Sequence, residues 1–256
     1  MTPSEPNRRR VLARLLAAGG APFLASCDRL SGTVWFPKLL DSGEKLTQAT
    51  QHLVTSRQSM AQEFTEPDLS PTFRSNGTAN PDDPRYQFLA AGEFAAYRLK
   101  VSGLVEQPTM FSLAELRELP ARTQITRHDC VEGWSAIGKW KGARLSALLS
   151  RVRPKPGARY VVFYCADPMD DEGTKYYESI DMEDAYHPQT ILAYELNGQP
   201  LPIANGAPLR VRVERQLGYK MAKYIMRIEL VNSFENIGEG KGGYWEDQGY
   251  EWYAGI

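Results

Sequence analysis

The sequence predicts a single α+β domain in which strands and short helices are intermixed. Strand-like and helix-like segments follow one another without the regular strand–helix–strand alternation of a parallel sheet. The 256 residues are 42% hydrophobic and 24% charged, so the chain has enough apolar bulk for a sizeable core. A formal net charge of −1 gives no basic surface for nucleic acid, which is therefore not expected as a partner.

The regular elements begin near residue 97. Residues 97–101 alternate in polarity like a half-buried strand, and Gly103 ends or bulges it. A Ser-x-x-Glu capping box at residues 112–115 begins a short helix that ends before Pro120. Leucines and a valine recur at helical spacing over residues 145–152, and the prolines that follow stop this helix.

The second half of the chain is richer in strands. Residues 160–165 form a continuous apolar run, which is typical of a buried strand. Residues 181–185 predict a short helix, and Asn197-Gly198 is a strong hairpin turn signal. Further strands are expected at residues 191–196, 208–213 and 224–231.

Residues 1–26 have the layout of an export signal. Three arginines at positions 8–10 precede an apolar run without acidic residues. Paired arginines are typical of the twin-arginine route, which moves folded proteins and suits a cofactor inserted before export. Residues 24–27 (Leu-Ala-Ser-Cys) resemble a bacterial lipobox, which predicts a periplasmic lipoprotein with a lipid anchor at Cys27. A plain cleavage site with an incidental cysteine is the alternative.

Residues 27–80 predict a polar, irregular N-terminal arm that lies over the body of the domain. Ser-Pro, Ser-Asn-Gly and Asn-Pro turn signals follow one another between residues 70 and 81. Residues 45–60 can hold one polar helix. The folded domain is then expected to span residues 81–256.

The first candidate site surrounds Cys130. Residues 127–135 (Arg-His-Asp-Cys-Val-Glu-Gly-Trp-Ser) place one cysteine among groups that can bind metal or protons. A thiolate is a soft ligand that suits a redox metal. The residues before Cys130 have a strand-like composition, and those after Gly142 have helical spacing. Cys130 is therefore expected on a loop between two ordered elements, where site residues tend to be held.

The second candidate site spans residues 192–228. Arg210 lies on a predicted strand, and Lys220 and Lys223 lie on a glycine-bearing turn, an arrangement that suits a phosphate-bearing ligand. Asn205 adds a donor and an acceptor for a flat heterocycle. The alternative is a solvated basic face around a hairpin. Nucleotide-binding glycine loops, a nucleophile elbow and zinc-type histidine spacing are all missing from the sequence.

Together the two segments resemble the molybdopterin domain of the sulfite oxidase family. Cys-Val-Glu-Gly-Trp-Ser at residues 130–135 resembles the loop that carries the single protein ligand to molybdenum. The pterin-binding half is matched, in the family's order, by Asn-Gly-x-Pro-Leu-Pro (197–202), x-Gly-x-Pro-Leu-Arg (205–210) and Gly-Tyr-Lys-x-x-Lys (218–223). The resemblance covers residues 70–256. It implies the mixed α+β sulfite-oxidase fold and a molybdopterin that holds molybdenum.

The resemblance assigns roles to single residues. Cys130 matches the molybdenum ligand and is the expected catalytic centre. Asn205 stands where bacterial methionine sulfoxide reductases of the family carry asparagine and sulfite oxidases carry histidine. Cys165 departs from a threonine of those reductases and is alternatively a buried thiol. The expected cofactor-binding residues are Asn76, Cys165, Asn205, Arg210, Gly218, Tyr219, Lys220 and Lys223. Asn76 rests on a short match at residues 73–77, for which a plain turn is the alternative.

Less specific roles are expected for the neighbours of these residues. His128 and Asp129 are expected to tune the metal or hold the loop. Glu132 and Trp134 are expected to orient Cys130. Asp167 is expected to line the substrate mouth.

The implied chemistry is two-electron oxygen-atom transfer at molybdenum. Reduction of a small-molecule or protein-bound S- or N-oxide is the first hypothesis, because the sequence near Cys130 has no cluster of basic residues that could bind an anionic substrate. Sulfite oxidation is the second. A non-catalytic envelope binding protein with a Cys130–Cys165 disulfide is the third. The sequence has no haem-attachment Cys-x-x-Cys-His, so electrons are expected from a separate partner. The resemblance implies that this partner is a haem-containing membrane subunit.

Overall fold

The computed structural model describes residues 58–256, together with Ser56 and Gly43. The predicted export signal, the lipobox cysteine and most of the predicted helix within residues 45–60 lie outside these residues. Among the helices of the described part, none has the length and apolar character needed to cross a bilayer.

Strands outnumber helices in the described part of the chain. Its ten strands are β1 (Arg98–Gly103), β2 (Thr109–Ser112), β3 (Ala121–Cys130), β4 (Trp134–Arg144), β5 (Tyr160–Pro168), β6 (Lys175–Asp181), β7 (Ile191–Leu196), β8 (Gln199–Pro200), β9 (Arg210–Arg212) and β10 (Ile225–Val231). Its five α-helices are α1 (Pro84–Ala91), α2 (Leu113–Glu118), α3 (Leu145–Val152), α4 (Met182–Tyr186) and α5 (Tyr244–Asp247). This mixture confirms the predicted α+β class.

The first sheet has the strand order β2-β1-β10-β5-β6. Only the β1–β10 pair is parallel, with Lys100 beside Arg227, and the other pairs are antiparallel. Apolar side chains of β1, β5 and β10 join the leucine face of α3 in the main core. Leu145, Leu148 and Leu149 of that helix are fully buried. Each such side chain contributes about 1.5–3 kcal/mol of burial free energy, so this core fixes the frame that carries the site.

The second sheet has the order β3-β4-β7-β8, and β9 also pairs with β7. All its pairs are antiparallel. β3 and β4 form a long hairpin whose last pair joins Cys130 to Trp134 across the turn at residues 131–133. Cys130 is therefore the final residue of a strand and faces a tight turn.

The expectation that Cys130 lies on a long loop before the α3 helix was wrong, because β4 fills most of that stretch. β4 alternates in burial, but glycines occupy two of its inward positions and hide the pattern. A side chain at Gly138 would reach within 2.8 Å of the Phe73 ring. One at Gly142 would collide with the backbone of Leu192 on β7. These glycines allow neighbouring groups to pack closely against a strand. From the sequence alone, such glycines cannot be told apart from glycines that form a turn.

Most other predicted elements are confirmed. The predicted helices at residues 112–119, 145–152 and 181–185 are present as α2, α3 and α4, and Ser112 and Glu115 form the predicted capping box. Asn197-Gly198 turns the β7–β8 hairpin, in which Leu196 pairs with Gln199. The strand expected at residues 208–213 is shorter, since β9 holds only Arg210–Arg212. The strand β6 and the helix α1 were missed.

Residues 58–80 run along the β3–β4 hairpin. Phe64 donates its amide to the Ile125 carbonyl at 2.8 Å, and Ser70 donates its amide to the Ile137 carbonyl at 3.1 Å. Phe73 packs edge-on against Trp140, with ring centroids 4.9 Å apart. The segment that holds Asn76 is thereby fixed against the sheet that ends in Cys130.

Candidate functional site

A cleft of about 750 Å³, open to solvent, brings the two predicted segments together. Five of the predicted site residues line it: Asn76, Cys130, Gly218, Tyr219 and Lys223. Glu132 and Asp167, expected near the metal and at the substrate mouth, also line it. The remaining predicted residues, Cys165, Asn205, Arg210 and Lys220, lie outside its lining.

Cys130 is held by the hydrogen bonds of its turn. Its carbonyl accepts the Gly133 amide at 3.0 Å. The Asp129 carboxylate accepts the Ser135 hydroxyl at 2.5 Å across the hairpin. Burial raises the pKa of the Cys130 thiol, so a proton must leave when a metal binds it.

Glu132 and Trp134 are joined across the same turn. The Glu132 carboxylate accepts the Trp134 indole N–H at 2.9 Å. The Arg74 guanidinium lies 5.6 Å from the Trp134 ring centroid. The predicted role of these residues in orienting Cys130 is compatible with this contact and stays a prediction.

His128 connects the Cys130 strand to the predicted phosphate-binding turn. Its ring is fully buried, and Nδ1 accepts a hydrogen bond from Arg212 Nη1 at 3.0 Å. Burial, and then the charge of Arg212, lower the pKa of His128 well below its usual value. The ring is therefore neutral, with its proton on Nε2. It packs directly under Gly218, where even a methyl group would lie 2.5 Å from Nε2.

Gly218→Ala tests this close approach. The added methyl group would collide with the buried His128 ring, so the 218–220 turn must move away from β3, the strand that ends in Cys130. We expect a loss of about 1–3 kcal/mol in the free energy of unfolding and a lower metal content per chain. Urea unfolding and elemental analysis measure the two effects. Gly157→Ala is the control, because its nearest neighbour would be Leu104 Cδ1 at an ordinary 3.9 Å. A Gly218→Ala protein with normal stability and metal content would contradict the close contact between Gly218 and the His128 ring.

Lys223 lines the cleft, and no carboxylate of the described residues forms an ion pair with it. Its Nζ donates to the carbonyls of Asn76 at 2.5 Å, Thr78 at 2.6 Å and Ala204 at 3.4 Å. Burial, and then the charge of Arg210, lower the pKa of Lys223 to about 7. An anionic ligand would offset both effects. The same lysine ties the Asn76 segment to the cleft, and the predicted role of Asn76 in cofactor binding stays a prediction.

Arg210 and Asn205 lie behind the cleft. Arg210 is fully buried, and its Nη1 donates to the Asn205 carbonyl at 3.0 Å. Burial, and then the charge of Arg212, lower the pKa of Arg210 to about 9. The Asn205 side-chain Nδ2 is buried and makes no hydrogen bond in the described structure.

Lys220 was predicted to bind a phosphate, but in the structure it pairs with two glutamates. Its ammonium is fully buried and pairs with Glu178 and Glu246, each at 2.5 Å. Glu178 is on β6 and Glu246 is on α5, so the lysine joins the turn to two distant elements. These two carboxylates neutralise the charge that was predicted to bind a phosphate.

Cys165 is a buried free thiol, as is Cys130. The alternative of a Cys130–Cys165 disulfide was therefore wrong. Cys165 lies on β5 beside the cleft, and burial raises its pKa well above the usual value. Such a thiol behaves as a small apolar side chain.

Arg212 and much of the cleft wall were not predicted from the sequence. Arg212 donates to the Glu214 carboxylate through Nε at 2.9 Å and Nη2 at 2.6 Å. Its guanidinium also lies 4.5 Å from the Trp140 ring centroid. The Arg-Val-Arg alternation of β9 was a usable signal, since both arginines face one side. The missed wall residues include Met169, Met221, Trp245 and Tyr250, and no local pattern marks them.

The molybdopterin that the resemblance implies fits the chemistry of this site. Buried Arg210 and Lys223 form no ion pair among the described residues, so their charge is free to attract an anion. Within the part of the chain that the structure describes, Asn76 Oδ1, Asn205 Nδ2 and Arg210 Nε are buried and have no hydrogen-bond partner. Because buried polar groups are normally satisfied, these atoms indicate a polar ligand. The Cys130 thiol provides one soft ligand for the metal.

Comparison with known proteins gives an independent assignment. The family described as "Oxidoreductase molybdopterin binding domain" matches residues 88–236. A putative protein-methionine-sulfoxide reductase subunit YedZ1 of Azospira oryzae is 38% identical over 250 residues, which are 98% of this chain and 88% of that relative. The protein-methionine-sulfoxide reductase catalytic subunit MsrP of Ralstonia nicotianae is 37% identical over 239 residues, 88% of this chain and 69% of that one.

Among solved structures, the sulfane dehydrogenase SoxCD from Paracoccus pantotrophus matches with a TM-score of 0.48 and 24% identity, over 54% of this chain and 39% of that chain. The family match and the two relatives cover most of the described domain. A non-catalytic binding module was therefore the wrong alternative. The chain belongs to the molybdopterin-binding oxidoreductases of the sulfite oxidase family and is a molybdenum-dependent enzyme that binds molybdopterin.

Proposed function

We propose that this enzyme reduces a sulfoxide, or a related S- or N-oxide, to the parent compound and water. The observation that carries the proposal is the charge of the cleft beside Cys130. Its lining includes two carboxyl groups, Asp167 and Glu132, and one lysine whose ammonium already donates to three carbonyls. Because this lysine is directed to the anionic cofactor, the two carboxyl groups are left to face a substrate, and they disfavour the sulfite anion and accept a neutral, polar oxide. The names of the two methionine-sulfoxide reductase relatives support the same substrate class.

The apolar wall suits the carbon groups of such a substrate. Met169, Met221, Trp245 and Tyr250 surround the cleft with sulfur and aromatic surface. Thioether and aromatic groups contact one another favourably, so the wall binds the organic part of a sulfoxide and displaces water. Tyr250 of this wall is 43% exposed, and the proposed substrates include protein-bound as well as free methionine sulfoxide.

The molybdopterin supplies two-electron oxygen-atom transfer when it is bound. In this proposal Cys130 is the protein ligand of the metal. Lys223 and Arg210 attract the anionic part of the cofactor, and Asn76 and Asn205 bond its heterocycle. Gly218 and Tyr219 shape the turn that it contacts.

In this proposal, two residues that were predicted to bind the cofactor only support the structure around it. Lys220 holds the turn through its two glutamates, and Cys165 fills the wall behind the cleft. Neither side chain needs to touch the cofactor directly.

The remaining parts of the proposal concern the protein's place in the cell. The arginines at positions 8–10 support export by the twin-arginine route within a signal at residues 1–26. The lipobox-like residues support a periplasmic protein tethered through lipid at Cys27. Residues 27–80 form the arm, and residues 81–256 form the catalytic domain. Electrons come from a separate haem-containing membrane subunit.

The test of the substrate class compares two reactions of protein purified from its native host. Reduction of methionine sulfoxide, free and in a peptide, is followed by oxidation of a reduced viologen dye. Sulfite oxidation is followed with ferricyanide. We expect sulfoxide turnover and little sulfite oxidation, and the reverse pattern would overturn the proposal. Protein from a host that cannot make molybdopterin is the control and should be inactive.

The N-terminal part of the proposal is tested by intact mass. The mature protein is expected to begin at Cys27 and to carry the added mass of a diacylglycerol group. An unmodified N-terminus at any residue would contradict the lipid anchor.

A further inference from the structure

We propose that Asp167 is a catalytic residue that gives a proton to the substrate oxygen as a sulfoxide is reduced. This inference rests on the proposed function and adds a residue to it. Asp167 lies near the end of β5 and lines the same cleft as Cys130. Asp167 therefore borders the space that a substrate would enter.

The local backbone accounts for this position. The pairing between β5 and β6 shifts register between Tyr164 and Pro168, and Asp167 lies in that irregular stretch. Register shifts next to a site can turn a side chain away from the sheet. Asp167 is only 5% exposed, and its Oδ1 makes no hydrogen bond in the described structure.

The groups around Asp167 leave this oxygen free for a ligand. The Tyr86 hydroxyl donates to the Ala207 carbonyl at 2.7 Å, and the Tyr224 hydroxyl donates to the Thr78 carbonyl at 2.8 Å. The Tyr176 hydroxyl likewise donates to a backbone carbonyl, that of Tyr219, at 2.5 Å. No basic side chain of the described residues forms an ion pair with Asp167.

The ionisable groups that face Asp167 come from several elements. They are two cations, Lys223 before β10 and Lys175 on β6, and the neutral Cys165 thiol on β5. Lys175 is occupied elsewhere, since its Nζ donates to Asp83 at 2.6 Å and to the Ala166 carbonyl at 2.8 Å. Burial is the largest influence and raises the pKa of Asp167 to about 6. The carboxyl therefore holds a proton under mildly acidic conditions and can release it.

The reaction requires such a donor. A sulfoxide R₂SO, two electrons and two protons give the thioether R₂S and water, as the S–O bond breaks and two O–H bonds form. The electrons come from a one-electron donor protein, or from a reduced viologen dye in the assay. Asp167 supplies one proton and regains it from solvent through the open cleft, and solvent supplies the other.

Other ionisable groups of the cleft are less suited to this role. Glu132 is exposed and already accepts the Trp134 indole N–H. The Lys223 ammonium donates to three carbonyls. Asp167 is the buried acid in the cleft lining whose oxygen has no partner among the described residues.

The kinetic test compares Asp167→Asn with Asp171→Asn in the holoenzyme. Asp171 is an exposed carboxylate on the loop that follows β5, so it controls for charge. We expect Asp167→Asn to lower kcat for methionine sulfoxide at least about 10²-fold, with little change in KM. Wild-type kcat should fall as pH rises through about 6, whereas the residual kcat of Asp167→Asn should be independent of pH there. Asp171→Asn should match the wild type in both respects.

A spectroscopic titration tests the proton without turnover. Infrared difference spectra should show a buried carboxylic C=O band that disappears with a midpoint near pH 6 in the wild type and is missing in Asp167→Asn. Molybdenum content should be equal in all three proteins, and Asp167→Asn should melt no lower than the wild type at pH 8. At pH 8 the wild type must bury the ionised Asp167 carboxylate. Because the pKa of Asp167 is higher in the folded than in the unfolded state, the wild type loses stability as the pH rises.

The outcomes separate the two proposals. A wild type that cannot reduce sulfoxides refutes the proposed function. An active wild type whose kcat and pH profile are unchanged in Asp167→Asn refutes the proton role alone. Loss of activity together with loss of metal or a lower melting temperature also refutes it, since Asp167 would then be structural.

Discussion

Replacement of Cys130 by serine is expected to remove nearly all sulfoxide reduction. Loss of a group that only supports a metal ligand lowers activity about 10–100-fold, so loss of the ligand itself should exceed about 10²-fold. A serine hydroxyl is a harder and more weakly acidic donor than a thiol, and it cannot replace the soft thiolate. Steady-state kinetics with methionine sulfoxide and reduced viologen measure the effect.

The fold should survive this change. Cys130 is at the end of β3, with its backbone held by the hairpin, and serine has nearly the same volume. Far-ultraviolet circular dichroism should therefore match the wild type. Ser150→Ala on the exposed side of α3 is the control and should keep full activity. Full activity in Cys130→Ser would exclude this thiol as the ligand.

Replacement of Lys220 by methionine is expected to cause the largest loss of stability. The change leaves Glu178 and Glu246 buried without their cation. Removal of one partner from a buried ion pair typically costs about 3–5 kcal/mol. Burial already raises the pKa of Glu178 well above its usual value, so part of the loss is relieved by protonation. Urea unfolding of the full chain, compared between pH 5 and pH 8, measures the effect, which should be larger at pH 8.

Two matched variants separate charge from volume. Adding Glu178→Gln to Lys220→Met removes one of the unpaired charges and should restore part of the lost stability. Lys139→Met removes a lysine that pairs with Glu66 at the surface, and such pairs contribute only about 0–1 kcal/mol. If Lys220→Met were as stable as Lys139→Met but lost its pterin, Lys220 would be a direct cofactor ligand instead.

Local sequence patterns were sufficient for much of the fold. The capping box at Ser112, the leucine spacing of α3 and the Asn197-Gly198 turn are each decided by neighbours in the chain. β4 was not predictable in this way. Gly138 and Gly142 are required by Phe73 and by the Leu192 backbone, which are far away in sequence.

The candidate site also contains residues that local motifs predict and residues whose roles depend on distant parts of the chain. Motif residues such as Cys130, Gly218 and Lys223 were identified from the sequence and meet in one cleft. The partners of Lys220 are 42 and 26 residues away, so its occupied charge could not be foreseen. Asp167 depends on a register shift between two strands, and sequence could suggest only its place at the mouth.

The most direct test of the central claim is X-ray absorption at the molybdenum edge. The spectrum of the wild-type enzyme reports the sulfur atoms bound to the metal, and it is compared with that of Cys130→Ser prepared in the same host. We predict one sulfur ligand fewer in the variant. An equal number of sulfur ligands in the two proteins would contradict Cys130 as the thiolate that binds molybdenum.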